Sequence, residues 1–171
     1  IISYIAALKS GNAVLLLDKK LNEEIRNGLI ENYKPDFIIS SNSISPELYS
    51  FSFKYESLNF LRRTESNSIN IFPELSVLLS TSGTTGSPKL VRLAYKNIQS
   101  NSESIADYLQ IDETEKPITT LPINYSYGLS VINSHLLKGA TIVLTEKSVF
   151  FRDFWNLFNE HKCTYFAGVP Y

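Results

Sequence analysis

The sequence predicts an α/β fold, with a largely parallel sheet and helices on its faces. From residue 13 onward, short apolar runs alternate with amphipathic segments, a pattern typical of strand–helix–strand units. The run at residues 13–17 is continuously apolar, as in strands that are covered on both faces. The chain has 171 residues and a hydrophobic content of 43%, enough for one domain with a core. Because it begins with Ile1 and contains no methionine, we expect residues 1–171 to be a single domain segment, truncated at both ends.

The first elements are expected to be helix, strand, helix and strand. Gly11 is placed to end the first helix at a C′ position, where glycine is favoured. Asn22 is the expected N-cap of the next helix, and Pro35 ends it. Residues 37–39 are the following strand. This order predicts a right-handed βαβ unit.

Later elements follow from the same signals. Asn97 is the expected cap of a helix that runs to about Leu109, with Leu109 facing inward. The aromatic residues between Phe150 and Phe158 are expected to pack in the core, whereas the doublet Arg62–Arg63 is expected on a solvated face. The remaining expected elements are a meander at 49–53 and 57–61, strands at 118–121, 141–144 and 164–167, and helices at 128–138 and 149–161.

The most informative stretch is the loop at residues 80–89, which reads Ser-Thr-Ser-Gly-Thr-Thr-Gly-Ser-Pro-Lys. Apolar runs of strand character precede and follow it, at 77–79 and 90–93. Glycines let a backbone approach a ligand closely. Free N–H groups, hydroxyls and the Lys89 ammonium supply convergent donors, which suit a polyphosphate.

Two other interpretations of this loop were weighed. A Walker A loop would end in Gly-Lys-Ser/Thr and open a helix. Here Pro88 forces Ser87 toward extended geometry, so the loop leads into a strand instead. A polar hairpin turn is the plainer alternative, but the particular order of residues argues against it.

That order resembles the phosphate-binding signature Thr-Ser-Gly-Thr-Thr-Gly-x-Pro-Lys of the adenylate-forming, AMP-dependent synthetase superfamily. Its members include acyl-CoA synthetases, adenylation domains of peptide synthetases, and luciferases. Residues 121–129 are similar to the family's second motif, Pro-Leu-Phe-His-x-x-Gly. Weaker similarities lie at 3–14, 139–144 and 164–170.

The chain departs from the family pattern at three positions. Leu90 stands where a glycine usually follows the loop lysine, and Tyr95 stands where many members carry histidine. Tyr125 replaces the histidine of the second motif. Tyrosine keeps a ring with a polar tip but cannot change charge near neutral pH, so this departure weakens an acyl-CoA-specific role.

The resemblance implies an ATP-dependent ligase that converts a carboxylate into an acyl adenylate and pyrophosphate, with Mg²⁺, and then passes the acyl group to a thiol of CoA or of an acyl or peptidyl carrier protein. It implies a catalytic role for Lys89 and a carboxylate pocket bordered at Tyr125. Tyr127 and Gly128 are expected to line the same pocket, and a simple packed corner is the alternative interpretation of the two tyrosines. The implied triphosphate contacts are Thr81, Ser82, Gly83, Thr84, Thr85, Gly86 and Lys89. The family's acidic residues and mobile-domain lysine lie in motifs beyond Tyr171. No metal ligand is therefore expected here, and the isolated segment is expected to be inactive.

Composition narrows the alternatives. A net charge of −1 and a pI near 6.2 argue against a nucleic-acid partner, and no apolar run is long enough for a membrane span. The single cysteine, Cys163, fits the cytoplasm. Cys163, His135 and His161 lack partners at catalytic or metal spacing, so structural roles are expected for them.

Two further classes of function stay open at this point. One is an inert nucleotide- or pyrophosphate-binding module derived from the same family, which the three departures favour. The other is an unrelated phosphotransfer domain, which would carry an acidic strand of the Walker B kind. No strand of that kind is recognisable in the sequence.

Overall fold

The computed structural model describes residues 1–42, 44, 46–65, 70–80 and 89–169. Five helices and eight strands lie within these ranges. In chain order they are α1 (Ile2–Lys9), β1 (Val14–Leu16), α2 (Glu23–Tyr33), β2 (Phe37–Ser40), β3 (Tyr49–Tyr55), β4 (Leu58–Arg63), β5 (Leu75–Ser80), β6 (Leu90–Ala94), α3 (Tyr95–Tyr108), β7 (Pro117–Ile118), α4 (Ser126–Leu137), α5 (Arg152–Glu160) and β8 (Tyr165–Phe166).

The strands of the described part form three small sheets flanked by helices, which confirms the α/β class. The first sheet has the order β1-β5-β6, with β1 parallel and β6 antiparallel to β5. The second, β2-β4-β3, is antiparallel throughout. In the third, β7 and β8 are parallel, and Val143 bridges to Ile118 in the same sense. Parallel and antiparallel pairs are therefore mixed.

The predicted βαβ unit is wrong, because β1 and β2 lie in different sheets. β2 pairs instead with β4, with Ile38 opposite Leu61. Along β2, exposed residues alternate with half-buried ones, as in an antiparallel sheet with one solvated face. The predicted meander strands β3 and β4 are confirmed. β2 pairs with β4 at the edge that β3 leaves open.

Two glycines end helices as the Schellman motif requires. Gly11 has a φ of 73°, its N–H donates to the Leu8 carbonyl at 3.0 Å, and the next N–H donates to Ala7 at 2.9 Å. Gly139 has a φ of 77° and ends α4 in the same way. Both bonds satisfy carbonyls that the helix end leaves open. The prediction for Gly11 is confirmed.

Of the two predicted N-caps, Asn22 is confirmed and Asn97 is wrong. Asn22 is the N-cap of α2, and its Oδ1 accepts the N–H of Glu24 at 2.8 Å. Asn97 is not the cap of α3, because β6 continues directly into a helix that begins at Tyr95. Asn97 lies in the first turn, where its Oδ1 accepts the Ala94 N–H at 2.9 Å. At the other end, Leu109 is the C-cap and is exposed, not inward.

Two buried clusters hold the described elements together. One joins Tyr4 of α1, Val77 and Leu79 of β5, and Leu129 of α4. The other contains Ile118, Phe154 and Cys163. Burial of such side chains is the main favourable contribution to folding.

Two burial predictions fail. Phe154 is fully buried, but Phe150 and Phe151 are 76% and 67% exposed, because they lie in the turn that precedes α5 and not on its buried face. Arg63 is buried, and its guanidinium pairs with the Asp36 carboxylate at 2.7 Å. A buried cation needs such a partner. Among the described helices, none is long and apolar enough to cross a membrane.

Candidate active site

The two strands that flank the Ser/Thr/Gly-rich loop form a hairpin. Ser80, the last residue of β5, pairs with Leu90, the first residue of β6, so both ends of the loop are held side by side. Lys89 is exposed and lies immediately before β6. The other loop residues with expected phosphate contacts lie outside the described residues: Thr81, Ser82, Gly83, Thr84, Thr85 and Gly86.

The base of this hairpin is firmly packed. β5 is the central strand of its sheet, and Val77 and Ser76 are fully buried. The Ser76 hydroxyl donates to the Leu93 carbonyl of β6 at 2.8 Å. Because β1 and β5 are parallel, their carboxyl ends meet at one edge of the sheet, the edge at which α/β proteins bind ligands. The loop leaves from that edge.

The second motif packs against the strand that leads into the loop. Residues 121–125 make a turn in which the Tyr125 N–H donates to the Pro122 carbonyl at 3.1 Å, and α4 follows. Leu129 is buried with Val77 and Leu79 of β5, and Ile123 packs on the same cluster. The fold therefore brings the second motif and the base of the loop together.

Gly128 lies where α4 passes closest to that turn. A Cβ built on Gly128 would lie 2.2 Å from the Pro122 carbonyl oxygen and 2.8 Å from the Leu121 oxygen. Such distances are far below van der Waals contact, and both obstacles are backbone atoms. Only glycine fits at this position without a shift of the backbone.

A small cavity lies beside Gly128, at the carboxyl ends of the parallel strands β7 and β8. Its volume is about 10 Å³, close to the space of one water molecule. The Thr120 hydroxyl donates to the Ala167 carbonyl and ties the two strand ends together. Tyr125, the N-cap of α4, and Tyr127, on its first turn, are 45% and 37% exposed. The cavity is lined by Ile118, Thr119, Thr120, Leu121, Gly128, Val131, Ile132 and Ala167.

The model of the AMP-binding enzyme family matches residues 1–171. The chain belongs to this family. The β5–β6 hairpin and the second motif packed against it therefore belong to an N-terminal segment of a member of this family.

Relatives within the family are ligases. The 2-succinylbenzoate–CoA ligase of Bacillus subtilis (strain 168) is 26% identical over 93% of this chain, which spans 34% of that protein. A 3,4-dihydroxybenzoate–[aryl-carrier protein] ligase of Bacillus anthracis is 31% identical over 56% of this chain, or 21% of that protein. The chain therefore spans about a third of the first relative's length.

Solved structures agree with the fold. The structure of o-succinylbenzoate CoA synthetase from Bacillus subtilis in complex with ATP and magnesium matches 96% of this chain and 45% of that chain, with a TM-score of 0.67 and 24% identity. At this identity the likeness establishes the shared fold.

The departure from the family at Tyr95 has a structural explanation. The Tyr95 hydroxyl is within 3.2 Å of the carbonyl oxygens of both Leu8 and Asn12. Its N–H donates to the Glu74 carbonyl at 3.1 Å. Tyr95 therefore connects α3, the end of α1 and the start of β5, at the hairpin end opposite the loop.

The two residues expected to be structural in the core are buried. His135 is 1% exposed, and its Nδ1 lies 2.8 Å from the Val131 carbonyl oxygen. Burial lowers the pKa of His135, outweighing the hydrogen bond to Val131 and the nearby Glu115, so the ring is neutral. Burial likewise raises the pKa of Cys163, which disfavours a thiolate nucleophile. His161 is the exposed C-cap of α5.

Sequence reasoning missed Tyr165 of β8. Its ring centroid lies 5.0 Å from that of His135. Burial, followed by the effect of Tyr127, raises the pKa of Tyr165 to about 12. A two-residue strand gives no periodicity from which the orientation of this side chain could be read.

Proposed function

We propose that the full-length protein carrying this chain uses ATP to activate a carboxylic acid as an acyl adenylate, and that this chain supplies the triphosphate-binding loop. The observation that carries the proposal is the hairpin in which β5 and β6 present residues 80–89, with Lys89 exposed, in a chain that the AMP-binding family matches from end to end.

The proposed role of the loop is electrostatic stabilisation of the leaving pyrophosphate. Negative charge accumulates on pyrophosphate as it leaves, and donors already aimed at that charge lower the barrier. Lys89 is the proposed catalytic residue, because an ammonium on a flexible stem can follow the charge. The remaining proposed donors are the amides of residues 83–86 and the hydroxyls of Thr81, Ser82, Thr84 and Thr85.

Mg²⁺ and a thiol acceptor complete the proposed reaction. Mg²⁺ usually binds through substrate phosphates, waters and only one or two carboxylates, so a preformed acidic cluster is not required. Within the described ranges no three His, Cys, Asp or Glu side chains converge on one point. The ATP and magnesium in the related synthetase support this cofactor pair, and the CoA and carrier-protein ligases support either acceptor.

The carboxylate is proposed to bind beside Tyr125, Tyr127 and Gly128. Gly128 lines the apolar cavity at the ends of β7 and β8, and α4, on which it lies, packs on the strand that leads into the loop. This packing supports the proposal that the acid binds close to the phosphate-binding loop. We also propose that residues 1–171 are one segment of a larger N-terminal domain, and that the protein acts in the cytoplasm.

Carboxylate-dependent exchange of pyrophosphate into ATP by the full-length protein tests the function. The panel would contain fatty, aryl and amino acids. We expect exchange with one class, reduced about 10²-fold or more by Lys89→Ala, since one lost oxyanion donor costs that much elsewhere. Lys54→Ala, an exposed strand lysine, is the matched control and should retain full exchange. A Thr84→Ala/Thr85→Ala double variant should fall with Lys89→Ala.

A second candidate, a nucleotide-binding module without turnover, is favoured by the departures at Leu90, Tyr95 and Tyr125. The same experiment separates the two. The nucleotide-binding module would replace the ligase as the proposed function if no acid supported exchange and if the protein bound magnesium–ATP in a way that Lys89→Ala abolished. If neither exchange nor ATP binding changed in the variants, the loop assignment itself would be wrong.

A further inference from the structure

The cavity beside Gly128 lies where the paired residues of β7 and β8 end. The last pair in that ladder is Ile118 and Phe166. Beyond it a side chain holds the two segments together, because the Thr120 hydroxyl donates to the Ala167 carbonyl. Both residues line the cavity, and Ala167 is 4% exposed. This hydrogen bond is therefore part of the cavity wall.

The side chains of this wall offer a ligand neither charge nor a free donor. Among the described residues that line the cavity, Thr119 and Thr120 are the two with polar side chains. The Thr119 hydroxyl donates to the Thr145 carbonyl at 3.1 Å and accepts the Thr145 N–H at 2.9 Å. A hydroxyl has one proton to donate, so both threonines have used theirs. The other lining residues are Ile118, Leu121, Gly128, Val131, Ile132 and Ala167.

The size and the polarity of the cavity limit what can enter it. Its volume is about 10 Å³, so it admits one small end group of a ligand and not the ligand's body. An apolar end group, such as a methyl, is stabilised there because it leaves water. A hydroxyl or an ammonium would give up its hydrogen bonds to water without gaining full replacements. The cavity therefore fits the apolar end of a molecule.

We propose that Thr120 is a specificity-determining residue, which keeps the cavity apolar by occupying the Ala167 carbonyl, so that the protein prefers acids that place an apolar end group there. This inference rests on the proposed function, because it assumes that the activated acid extends past Gly128 into the cavity. Without the Thr120 hydroxyl, the Ala167 carbonyl becomes an acceptor in the wall. An acid with a hydroxyl end group would then gain a hydrogen bond that the wild type denies it.

The test is pyrophosphate exchange by the full-length protein with matched pairs of acids, in which a hydroxyl replaces an end methyl. Suitable pairs are hexanoate and its terminal hydroxy isostere, para-methylbenzoate and para-hydroxybenzoate, and valine and threonine. For the class that the protein accepts, we expect kcat/KM to favour the methyl acid about 10²-fold, the discrimination typical of an apolar pocket. Thr120→Val keeps the shape of the side chain and should reduce this ratio up to about tenfold, the effect of one hydrogen bond.

A conservative variant and a remote one are the controls. Thr120→Ser keeps the hydroxyl and should keep the wild-type ratio. Thr64→Val, just after β4, removes a hydroxyl that donates to the Leu48 carbonyl at 3.1 Å, and it should also leave the ratio unchanged. Because both acids are compared on one protein preparation, a loss of folded protein lowers both rates and cancels in the ratio. A ratio that stays at the wild-type value in Thr120→Val would make the hydrogen bond merely structural and would overturn the inference.

The failure of this inference and the failure of the proposed function are distinguishable. Exchange by the wild type with equal kcat/KM for both acids of a pair would overturn the inference alone. No exchange by the wild type with any acid would overturn both the ligase function and this inference from it. If Thr120→Val does not fold, Thr120→Ala removes the same hydroxyl, and the wild-type ratio tests the apolar wall independently.

Discussion

At Gly128 the first turn of α4 passes so close to the Leu121–Pro122 backbone that a side chain has no room. The nearest obstacle, the Pro122 carbonyl oxygen, is 2.2 Å from the place of a Cβ. A carbonyl in a turn cannot move aside as the end of a flexible side chain can. Any substitution must therefore shift α4 relative to the turn, and with it Tyr127 and the cavity wall.

We expect Gly128→Ala to lower the stability of the protein by about 1–3 kcal/mol or more, the range of overpacking costs. Gly28→Ala is the control, because nothing lies within 4 Å of a Cβ there and alanine is the better residue inside α2, by about 1 kcal/mol. Thermal unfolding of both variants measures the effect. A Gly128→Ala protein as stable as the wild type would contradict the close packing.

His135 makes stability depend on pH. Its pKa lies below the ordinary value of 6.5, chiefly because of burial. As pH falls below 6.5, the unfolded chain binds a proton at this residue and the folded chain does not. The contribution to stability is therefore complete above pH 6.5 and is lost as pH falls from there toward the folded-state pKa, by up to about 1.4 kcal/mol per pH unit.

A series of Tm measurements from about pH 8 to about pH 5, on both sides of the ordinary histidine pKa of about 6.5, checks this pH dependence. Replacing His135 by Phe should flatten the acid side of the profile, whatever the variant's absolute stability. Replacing the exposed His161 by Gln should leave the slope as in the wild type. An unaltered slope in the His135→Phe protein would assign the pH dependence to other groups.

At the scale of elements, the β5–β6 hairpin depends on how its base is anchored. β6 passes into α3 without a linker, and Tyr95 at that junction reaches the carbonyls of Leu8 and Asn12. Leu8 and Asn12 lie at the end of α1, where Gly11 terminates the helix. The phenol thus joins α3 to the end of α1, the backbone N–H of Tyr95 joins α3 to the start of β5, and a histidine in its place would have a shorter reach.

Tyr95→Phe is expected to destabilise the protein by about 0.5–1.5 kcal/mol, the net contribution of a typical hydrogen bond. Denaturant unfolding would show a lower midpoint with an unchanged slope. Tyr108→Phe on the same helix carries an exposed ring and should stay within about 0.5 kcal/mol of the wild type, as surface changes usually do. Equal midpoints for the two variants would argue against the anchor.

At the scale of the whole molecule, the chain covers only part of the length of its relatives. The chain spans 34% of the length of the 2-succinylbenzoate–CoA ligase that it matches. Its described residues include the β5–β6 hairpin, the packed second motif and a cavity with room for about one water. In the proposed function these parts bind phosphate and border the acid, but the adenylation reaction also needs groups that enclose the nucleotide and exclude water.

We therefore expect residues 1–171, produced alone, to show no pyrophosphate exchange above background under conditions in which the full-length protein exchanges. A folded segment, verified by its circular dichroism, is required for the comparison. Turnover by the segment itself would show that the active site is complete within it.

What the sequence determined by itself was local. The alternation of apolar runs gave the α/β class, Gly11 and Asn22 marked helix ends correctly, and the residues on either side of 80–89 predicted the two strands that hold the loop. Such signals succeed because backbone φ preferences and capping hydrogen bonds involve residues a few positions apart. The loop was recognised from its residue types and its resemblance to the family signature, and the second motif from its resemblance alone.

Only the tertiary structure decided which elements meet. It paired β2 with β4 and not with β1, buried Arg63 against Asp36, left Phe150 and Phe151 exposed, and set the ring of Tyr165 against His135. Each outcome depends on what a distant segment offers as cover or as a hydrogen-bond partner. Pairing and burial are settled by competition among all segments of the chain, and no local pattern records the result of that competition.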